Sequence, residues 1–149
     1  MKKTLVILSL IAALAVFFRY YDIDTVDTHF EDYQQATNNG IVPPDTWLPQ
    51  FLPRSARAIK ERHNIDTNEA WVSFGFDKKD AEQLKNACHA IAVHDVKFPR
   101  EDRSKAINWW QLNPPENGSS QHGYFRCDAI SFLFVNEADQ VAFFWTLAR

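Results

Sequence analysis

Hydrophobic and polar positions divide the 149-residue chain into one long apolar run and several shorter patterned segments. The apolar run covers positions 4–18, carries no charge, follows two lysines and ends at Arg19. As a helix it would span roughly 22 Å, which is shorter than the hydrocarbon core of a bilayer. The pattern therefore predicts a targeting segment over residues 1–21, either a cleaved signal peptide or an uncleaved signal anchor.

Both forms of export, and one alternative to export, stay open at this point. The sequence Ala13-Leu14-Ala15 fits signal-peptide cleavage, whereas Tyr20 and Tyr21 fit the interfacial aromatic residues of an uncleaved anchor. A buried N-terminal helix of a cytosolic protein is the remaining alternative. Either form of export places residues 22–149 outside the cytoplasm, attached to the bacterial inner membrane or secreted to the periplasm.

Alternating patterns later in the chain predict β-strands. AWVSFGF at 70–76 sends Ala70, Val72 and the two phenylalanines to one side, which predicts a half-buried strand. SFLFV and VAFFW flank the polar sequence NEADQ, which indicates a terminal β-hairpin. Residues 55–64 fit a helix and a strand equally well, because Ile59, Glu61 and His63 also alternate.

One segment, DKKDAEQLKNACHAIAV at 77–93, has helical periodicity. Its apolar residues fall on a single stripe: Ala81, Leu84, Cys88, Ile91 and Ala92. Asp77 is suited to the N-cap, and the charged residues lie on the opposite side. The pattern predicts a helix that covers a sheet and directs Cys88 into the core.

The remaining segments are short or irregular. Residues 22–38 begin extended and predict a short helix with Asp32 as N-cap and Gly40 as C-cap. Residues 41–53 contain four prolines and predict an ordered arm along the core surface, while 94–120 is irregular. The fold class expected is α+β: a small, mostly antiparallel sheet covered by one main helix, in a single domain over 22–149.

Charge argues against nucleic acid as a partner. The whole chain carries a net charge of −3, and removing residues 1–21 leaves 13 basic against 19 acidic residues. Since no basic tract stands out, nucleic-acid binding is not expected. Partners are instead the membrane, through the N-terminal segment, and a protein of the cell envelope.

The two cysteines, Cys88 and Cys127, are an even count in a chain expected to be exported. A structural disulfide between them is the preferred interpretation. It would stabilise the fold by roughly 4 kcal/mol on the chain-entropy estimate. A pair of free buried thiols and a reactive thiol are the alternatives, although a core-facing position does not suit a reactive cysteine.

Neither a metal site nor a catalytic motif is predicted. His89 and His94 would lie about 140° apart around a helix, so the two rings do not converge on one ion. Phosphate-binding, dinucleotide-binding and nucleophile-elbow motifs do not occur. We therefore expect no cofactor and no metal, and the sequence favours a non-catalytic protein over an enzyme.

Tryptophans offer the best candidates for binding. Trp109 and Trp110 lie at the edge of a proline-containing loop, and Trp47 lies in the proline-rich arm. Exposed tryptophans bind partners because they supply large contact area at small entropic cost. The alternative is that they fill the core of a small sheet protein.

Residues 47–74, WLPQFLPRSARAIKERHNIDTNEAWVSF, resemble a motif of an uncharacterised bacterial family, the YbbD head domain. The tryptophan pair at 109–110, the sequence around Cys127 and the closing strand fit the same pattern, so the resemblance covers roughly 28–149. It implies a small extracytoplasmic domain and lends no catalytic residues. The residues that carry it are Trp47, Pro49, Pro53, Ser55, Ala56, Ile59, His63, Asp66, Thr67 and Asn68.

Two functions follow as hypotheses. The first is a non-catalytic interaction domain facing the periplasm, with a contact surface built from the proline arm and the Trp109–Trp110 loop. An immunity-type protein that blocks a toxin is one specific version of it. The second is a periplasmic hydrolase using His63 with Asp66, although a hydrogen-bonded turn at 66–68 explains these residues as well.

Overall fold

An antiparallel sheet of seven strands organises the structure, a computed structural model that describes residues 24–41, 46–104, 106–112 and 122–149. In the sheet the strands lie in the order β1-β2-β3-β7-β6-β5-β4. The strands are β1 Thr25–Asp32, β2 Arg57–Asn64, β3 Glu69–Gly75, β4 His89–Ile91, β5 His122–Arg126, β6 Ser131–Asn136 and β7 Val141–Thr146. The predicted antiparallel sheet is confirmed, and the predicted terminal hairpin is β6 with β7.

The helices are short. They are α1 Tyr33–Asn38, α2 Ala81–Asn86 and α3 Glu101–Ser104, and 3₁₀ turns occur at Lys78–Asp80 and Val93–Asp95. In the described part of the chain, no helix combines the length and the apolar character needed to cross a membrane. The predicted targeting segment at 1–21 lies outside the described residues.

Local capping groups define α1 at both ends, as the sequence predicts. Asp32 Oδ1 accepts a hydrogen bond of 2.8 Å from the backbone N–H of Gln35. Beyond the other end, Gly40 adopts a left-handed φ of 71°, and the N–H of Ile41 donates back to the carbonyl of Ala36 at 2.9 Å. A residue with a β-carbon is strained in this conformation, which explains glycine at position 40.

One face of the sheet packs against α1, α2 and the proline-rich arm. The buried residues of this first face are Phe30, Ala36, Leu48, Leu52, Ala56, Ile59, Val72, Phe74, Phe76, Ala81, Leu84, Phe125, Leu133, Val135, Ala142 and Phe144. Leu48 and Leu52 belong to the arm, and its Phe51 contacts the ring of Phe144 edge-on at 5.8 Å. The arm therefore lies along the core, as predicted for a segment too rich in proline for regular structure.

The other face is covered by the irregular segment that follows β4. Its buried centre is aromatic: Phe132, Phe134, Phe143 and Trp145. Trp145 Nε1 donates a hydrogen bond of 2.8 Å to the carbonyl of Lys97, and Phe98 stacks on the Trp145 ring at 6.0 Å. Both faces of the sheet are therefore covered, rather than one face by a single helix.

This second layer corrects the prediction for β3. Trp71 and Ser73, expected to face solvent, are as buried as Val72 and Phe74 on the opposite side. The strand lies in the interior of the sheet, between β2 and β7. Alternation in the sequence identified the strand, but burial of its polar side depends on the distant covering segment.

The predicted helix over 77–93 is also wrong in its second half. Helical structure ends at Asn86, and His89–Ile91 form β4 against Tyr124–Arg126 of β5. Ile91 then packs on the second face, away from the first-face side chains of α2. Hydrogen bonding to a sheet edge overrides helical periodicity here, because periodicity carries no information about long-range partners.

The predicted disulfide is present between Cys88 and Cys127, with an S–S distance of 2.08 Å and a Cα–Cα distance of 4.4 Å. Cys88 lies between α2 and β4 rather than within a helix. Both cysteines are half-buried and pack against the first-face core. The disulfide therefore joins the covering segment around α2 to the sheet, as the sequence suggested. It starts from the turn after α2 and not from within the predicted helix.

Candidate functional site

Three polar side chains form a buried cluster where β1 meets β2. The carboxylate of Glu61 lies 2.6 Å from Nδ1 of His63 through one oxygen, and accepts a hydrogen bond of 2.5 Å from the hydroxyl of Thr28 through the other. Thr28 and Glu61 are direct cross-strand neighbours. Because side chains two residues apart share a face of a strand, Glu61 and His63 both point to the first face.

Trp47 of the proline arm covers this cluster. Its ring stacks on the His63 ring with centroids 4.6 Å apart and an interplanar angle of 13°. Only 2% of Glu61 and 9% of His63 is exposed. A histidine–carboxylate pair can transfer protons only when a substrate reaches it, and Trp47 occupies one face of this imidazole. The pair is best explained as a satisfied polar element of the core.

Burial sets the protonation behaviour of the cluster. Burial raises the pKa of Glu61, and this outweighs the hydrogen bonds from Thr28 and His63, which lower the pKa. Desolvation disfavours the charged carboxylate unless its partners compensate fully. The cluster therefore has a pH-dependent influence on stability.

The turn after β2 contains Asp66, the other half of the predicted catalytic pair. Asp66 is exposed, while the carboxylate that contacts His63 is that of Glu61. The side chain of Asn64 organises the turn, since its Oδ1 accepts hydrogen bonds of 2.9 Å from both the N–H and the hydroxyl of Thr67. The hydrogen-bonded turn expected at 66–68 is thus present, and its organising residue, Asn64, lies two positions before the expected segment.

A second buried carboxylate, Glu69, was not singled out by the sequence. It is 2% exposed and forms an ion pair with the guanidinium of Arg103, which also donates to the Thr67 hydroxyl at 3.3 Å. This contact attaches α3 to the start of β3. An acidic residue at the first position of an apolar strand was the available signal, but only the fold identifies its partner.

The adjacent tryptophans of the predicted binding loop have different environments. Trp110 packs edge-on against Phe143 at 5.3 Å and Trp145 at 6.1 Å, so its partly buried ring lies against the second-face core. Trp109 contacts Trp110 edge-on at 6.1 Å and faces outward over the β1–β3 half of the sheet. Both rings are half-buried, and Trp109 is the one that lines the grooves described next.

Two surface grooves meet at Trp109. The larger has a volume of about 710 Å³ and includes Phe143 and Ser73 on its floor, with Arg57, Glu31 and Asp139 among its polar lining. The smaller, about 460 Å³, is lined by Asp27, Thr28, His29, Lys60, Arg62, Asn108 and Trp109. Lys60 and Trp109 line both grooves. The Trp109 indole therefore lies between two grooves whose lining carries both acidic and basic side chains.

The sheet separates the predicted binding residues into two groups. Trp47 and His63 lie on the first face, whereas Trp109 lies on the second. The proline arm and the Trp109–Trp110 loop therefore do not form one flat contact surface. A partner that touches both must reach around the edge strand β1.

Metal binding finds no support among the residues that the structure describes, because no three His, Cys, Asp or Glu side chains come together as ligands. The charged contacts near the grooves are ion pairs, such as Asp27 with Arg62 at 2.7 Å and 2.5 Å. The geometry therefore provides a polar surface around the half-buried ring of Trp109.

The comparisons with known proteins concern the first three strands. Residues 24–75 match the family model of the YbbD head domain, a segment that contains β1, α1, the arm, β2 and β3. No curated protein and no solved structure gives a significant match to the chain. The resemblance beyond residue 75 stays a prediction. The resemblance seen at 47–74 is confirmed by this match, which extends over residues 24–75.

Proposed function

We propose that this chain is a non-catalytic binding domain of the bacterial cell envelope, which faces the periplasm and holds a protein partner through the surface around Trp109. The observation that carries the proposal is the position of this indole between two grooves that share Lys60. The ring is held from behind by Trp110, which is itself packed in the second-face core.

An aromatic anchor of this kind suits protein recognition. Because Trp109 is half-buried and supported, little conformational entropy remains for it to lose on binding. The surrounding carboxylates, amides and cations offer hydrogen bonds at the rim, while the ring supplies the apolar contact. A tryptophan at the centre of such a surface typically contributes a large share of binding energy.

The buried histidine supports a binding role over hydrolysis. His63 is enclosed by Glu61 and Trp47, and both contacts fix the ring. A general base needs a free nitrogen within hydrogen-bond reach of a substrate. We therefore assign His63 and Glu61 to stability, and propose no reaction for them.

Export to the envelope is supported by the apolar run at 4–18 and by the Cys88–Cys127 disulfide, since disulfides persist in oxidising compartments. A fusion of alkaline phosphatase after Arg149 tests this placement, because that enzyme is active only outside the cytoplasm. Activity is expected, and an inactive fusion with full expression would contradict it. A neighbouring toxin gene would support the immunity-type version of the proposal.

Partner capture by matched alanine variants tests the binding surface. The full-length protein is crosslinked in cells, purified from envelope extracts, and its partners are identified by mass spectrometry. Trp109→Ala should reduce recovery of a specific partner at least about tenfold, the effect typical of an interfacial tryptophan. Val93→Ala truncates an exposed apolar side chain beside the opposite edge of the sheet, and should leave recovery unchanged.

The thermal midpoint of each variant separates binding from folding. Trp109→Ala should unfold close to the wild-type temperature, whereas Trp110→Ala should be destabilised because its ring packs against the second-face core. If Trp109→Ala and wild type recover the same partners in equal amounts, the proposed surface is wrong.

A further inference from the structure

Among the described residues that line the two grooves at Trp109, Lys60 is the one charged side chain common to both. Its neighbour Ile59 is buried on the first face, and side chains alternate along a strand, so Lys60 points to the second face. Its cross-strand partners are His29 of β1 and Ser73 of β3. The ammonium group therefore lies in a row whose adjacent positions carry no carboxylate.

The two arginines of the grooves have carboxylate partners within the chain, and Lys60 has none. Two nitrogens of Arg62 donate to Asp27 at 2.7 Å and 2.5 Å, and Arg57 donates to Asp77 at 3.1 Å. Within the described ranges, the Lys60 ammonium makes no hydrogen bond, ion pair or cation–π contact. The Lys60 side chain is nevertheless half-buried. Because water has limited access to such a cation, an added carboxylate stabilises it more than it would an exposed one.

The acidic side chains of the grooves leave this cation unmatched. Asp27 is held in its ion pair, and Asp139 accepts a hydrogen bond of 2.8 Å from the side chain of Asn136. Glu31 is exposed and lines only the larger groove, and it forms no ion pair with Lys60. The junction of the grooves therefore calls for a negative group from outside the chain.

The apolar part of the same junction is the Trp109 ring, which Trp110 supports from behind. An ammonium group and an indole that line the same two grooves suit a carboxylate with an apolar side chain beside it. The whole chain carries a net charge of −3, so the attraction is local to this junction. It should act as a short-range contact rather than as long-range steering.

We propose that the partner protein sets an acidic side chain on the ammonium group of Lys60 and an apolar side chain on the Trp109 ring. This inference rests on the proposed binding function and deepens it, because it states the chemistry of the partner's contact surface. In the complex the ion pair is partly withdrawn from water, where a charge-assisted hydrogen bond is stronger than at an exposed surface. Removing one member of such a pair weakens binding far more than removing a charge at the rim.

Zero-length crosslinking with a water-soluble carbodiimide tests the contact on the full-length protein, in complex with the partner that wild type recovers. The reagent joins an amine to a carboxylate in direct contact through an amide bond, and itself takes up the water that is lost. Mass spectrometry of the digested complex should find Lys60 joined to an aspartate or glutamate of the partner. Trp109→Ala should lose this link together with the binding.

Lys60→Met and Lys60→Arg form a matched pair, because only the methionine removes the positive charge. Lys60→Met should lower the affinity for the purified partner at least about tenfold, and Lys60→Arg should retain most of it, as measured by calorimetry. Lys78→Met removes an exposed lysine from the 3₁₀ turn before α2 and should leave the affinity unchanged. All three variants should unfold near the wild-type temperature, and added salt should weaken binding of wild type more than that of Lys60→Met.

Four results would overturn the inference: equal affinity of Lys60→Met and wild type, a complex with no link at Lys60, a link only to Glu31 of the same chain, or a link to a second copy of this chain. Mixing isotope-labelled with unlabelled protein identifies the last case. Failure here is distinguishable from failure of the proposed function. Partner recovery that Trp109→Ala abolishes and Lys60→Met preserves would exclude the acidic contact alone, whereas recovery of no specific partner by wild type would exclude both.

Discussion

Removing the Cys88–Cys127 disulfide tests the link between the covering segment around α2 and the sheet. The informative variant replaces both cysteines with alanine, because a single substitution leaves a free thiol. The two residues are 39 positions apart. The chain-entropy relation for a crosslink of this separation gives a loss of about 4 kcal/mol in the free energy of unfolding.

The disulfide lies where it stabilises both a short edge strand and the first-face core. On one side it holds the three-residue strand β4, which pairs only with β5 at the sheet edge. Both cysteines also pack against the first-face core, so alanine loses some apolar contact as well. For a domain of this size, 4 kcal/mol corresponds to a fall of about 15 °C in the thermal midpoint.

Thermal unfolding followed by circular dichroism measures this fall on the full-length protein. Wild type treated with a reductant loses only the bond, so its midpoint should fall most of the way to that of the double-alanine variant. The remaining gap measures the lost packing, and the variant itself should not respond to the reductant. This internal control separates loss of the bond from loss of packing. A double variant as stable as oxidised wild type would refute the reasoning, and alkylation of both thiols before reduction would show that the bond does not form in the cell.

Two further predictions concern the buried carboxylates. Arg103→Met should lower the free energy of unfolding by about 3 kcal/mol in urea denaturation, because it removes the cation that pairs with the buried Glu69 carboxylate. Adding Glu69→Gln should recover most of this loss. If Arg103→Met is as stable as wild type, the assignment of this ion pair to stability is wrong. Burial raises the pKa of Glu61, so the folded protein keeps the Glu61 proton at pH values where the unfolded chain has lost it. The free energy of unfolding therefore falls as pH rises from the ordinary glutamate pKa through the raised one. Glu61→Gln should therefore match wild type at acidic pH and gain relative stability as pH rises, and a difference in thermal midpoint that is constant across pH would contradict it.

Elements with local signals were predictable from the sequence. The N-cap of α1, Asp32, acts on the nearby Gln35 and is confirmed. The C-cap is Asn39, and the predicted Gly40 follows it in the left-handed conformation. The terminal hairpin was recognised because two aromatic runs flank a polar turn. The pairing of Cys88 with Cys127 followed from an even cysteine count and expected export, which are properties of composition rather than of the three-dimensional fold.

Elements that depend on distant contacts were not predictable in the same way. Cys88 and Ile91 continue the helical stripe of α2, yet the chain leaves the helix after Asn86 to pair with β5. The stripe is compatible with both structures, since Cys88 faces the first core and Ile91 faces the second. Choosing between them requires the position of β5, which lies far along the chain.

The same limit explains why the tryptophan surface was assigned only in part. Trp109 and Trp110 are adjacent, so the sequence alone assigns them equal chances of exposure. Their environments differ because the loop passes Phe143 and Trp145, which places the Trp110 ring against the core and the Trp109 ring at the groove.

Polar residues at inward positions of neighbouring strands carry information about which strands pair and in which register. Glu61 and His63 alternate with Ile59, which marks an inward face once the segment is read as a strand. Thr28 lies opposite Glu61, so the pairing of β1 with β2 brings together all three polar groups. A buried carboxylate costs stability unless such partners satisfy it. When two strands each carry polar residues at inward positions, the favoured register is therefore the one that sets these residues opposite each other, because their hydrogen bonds are then satisfied.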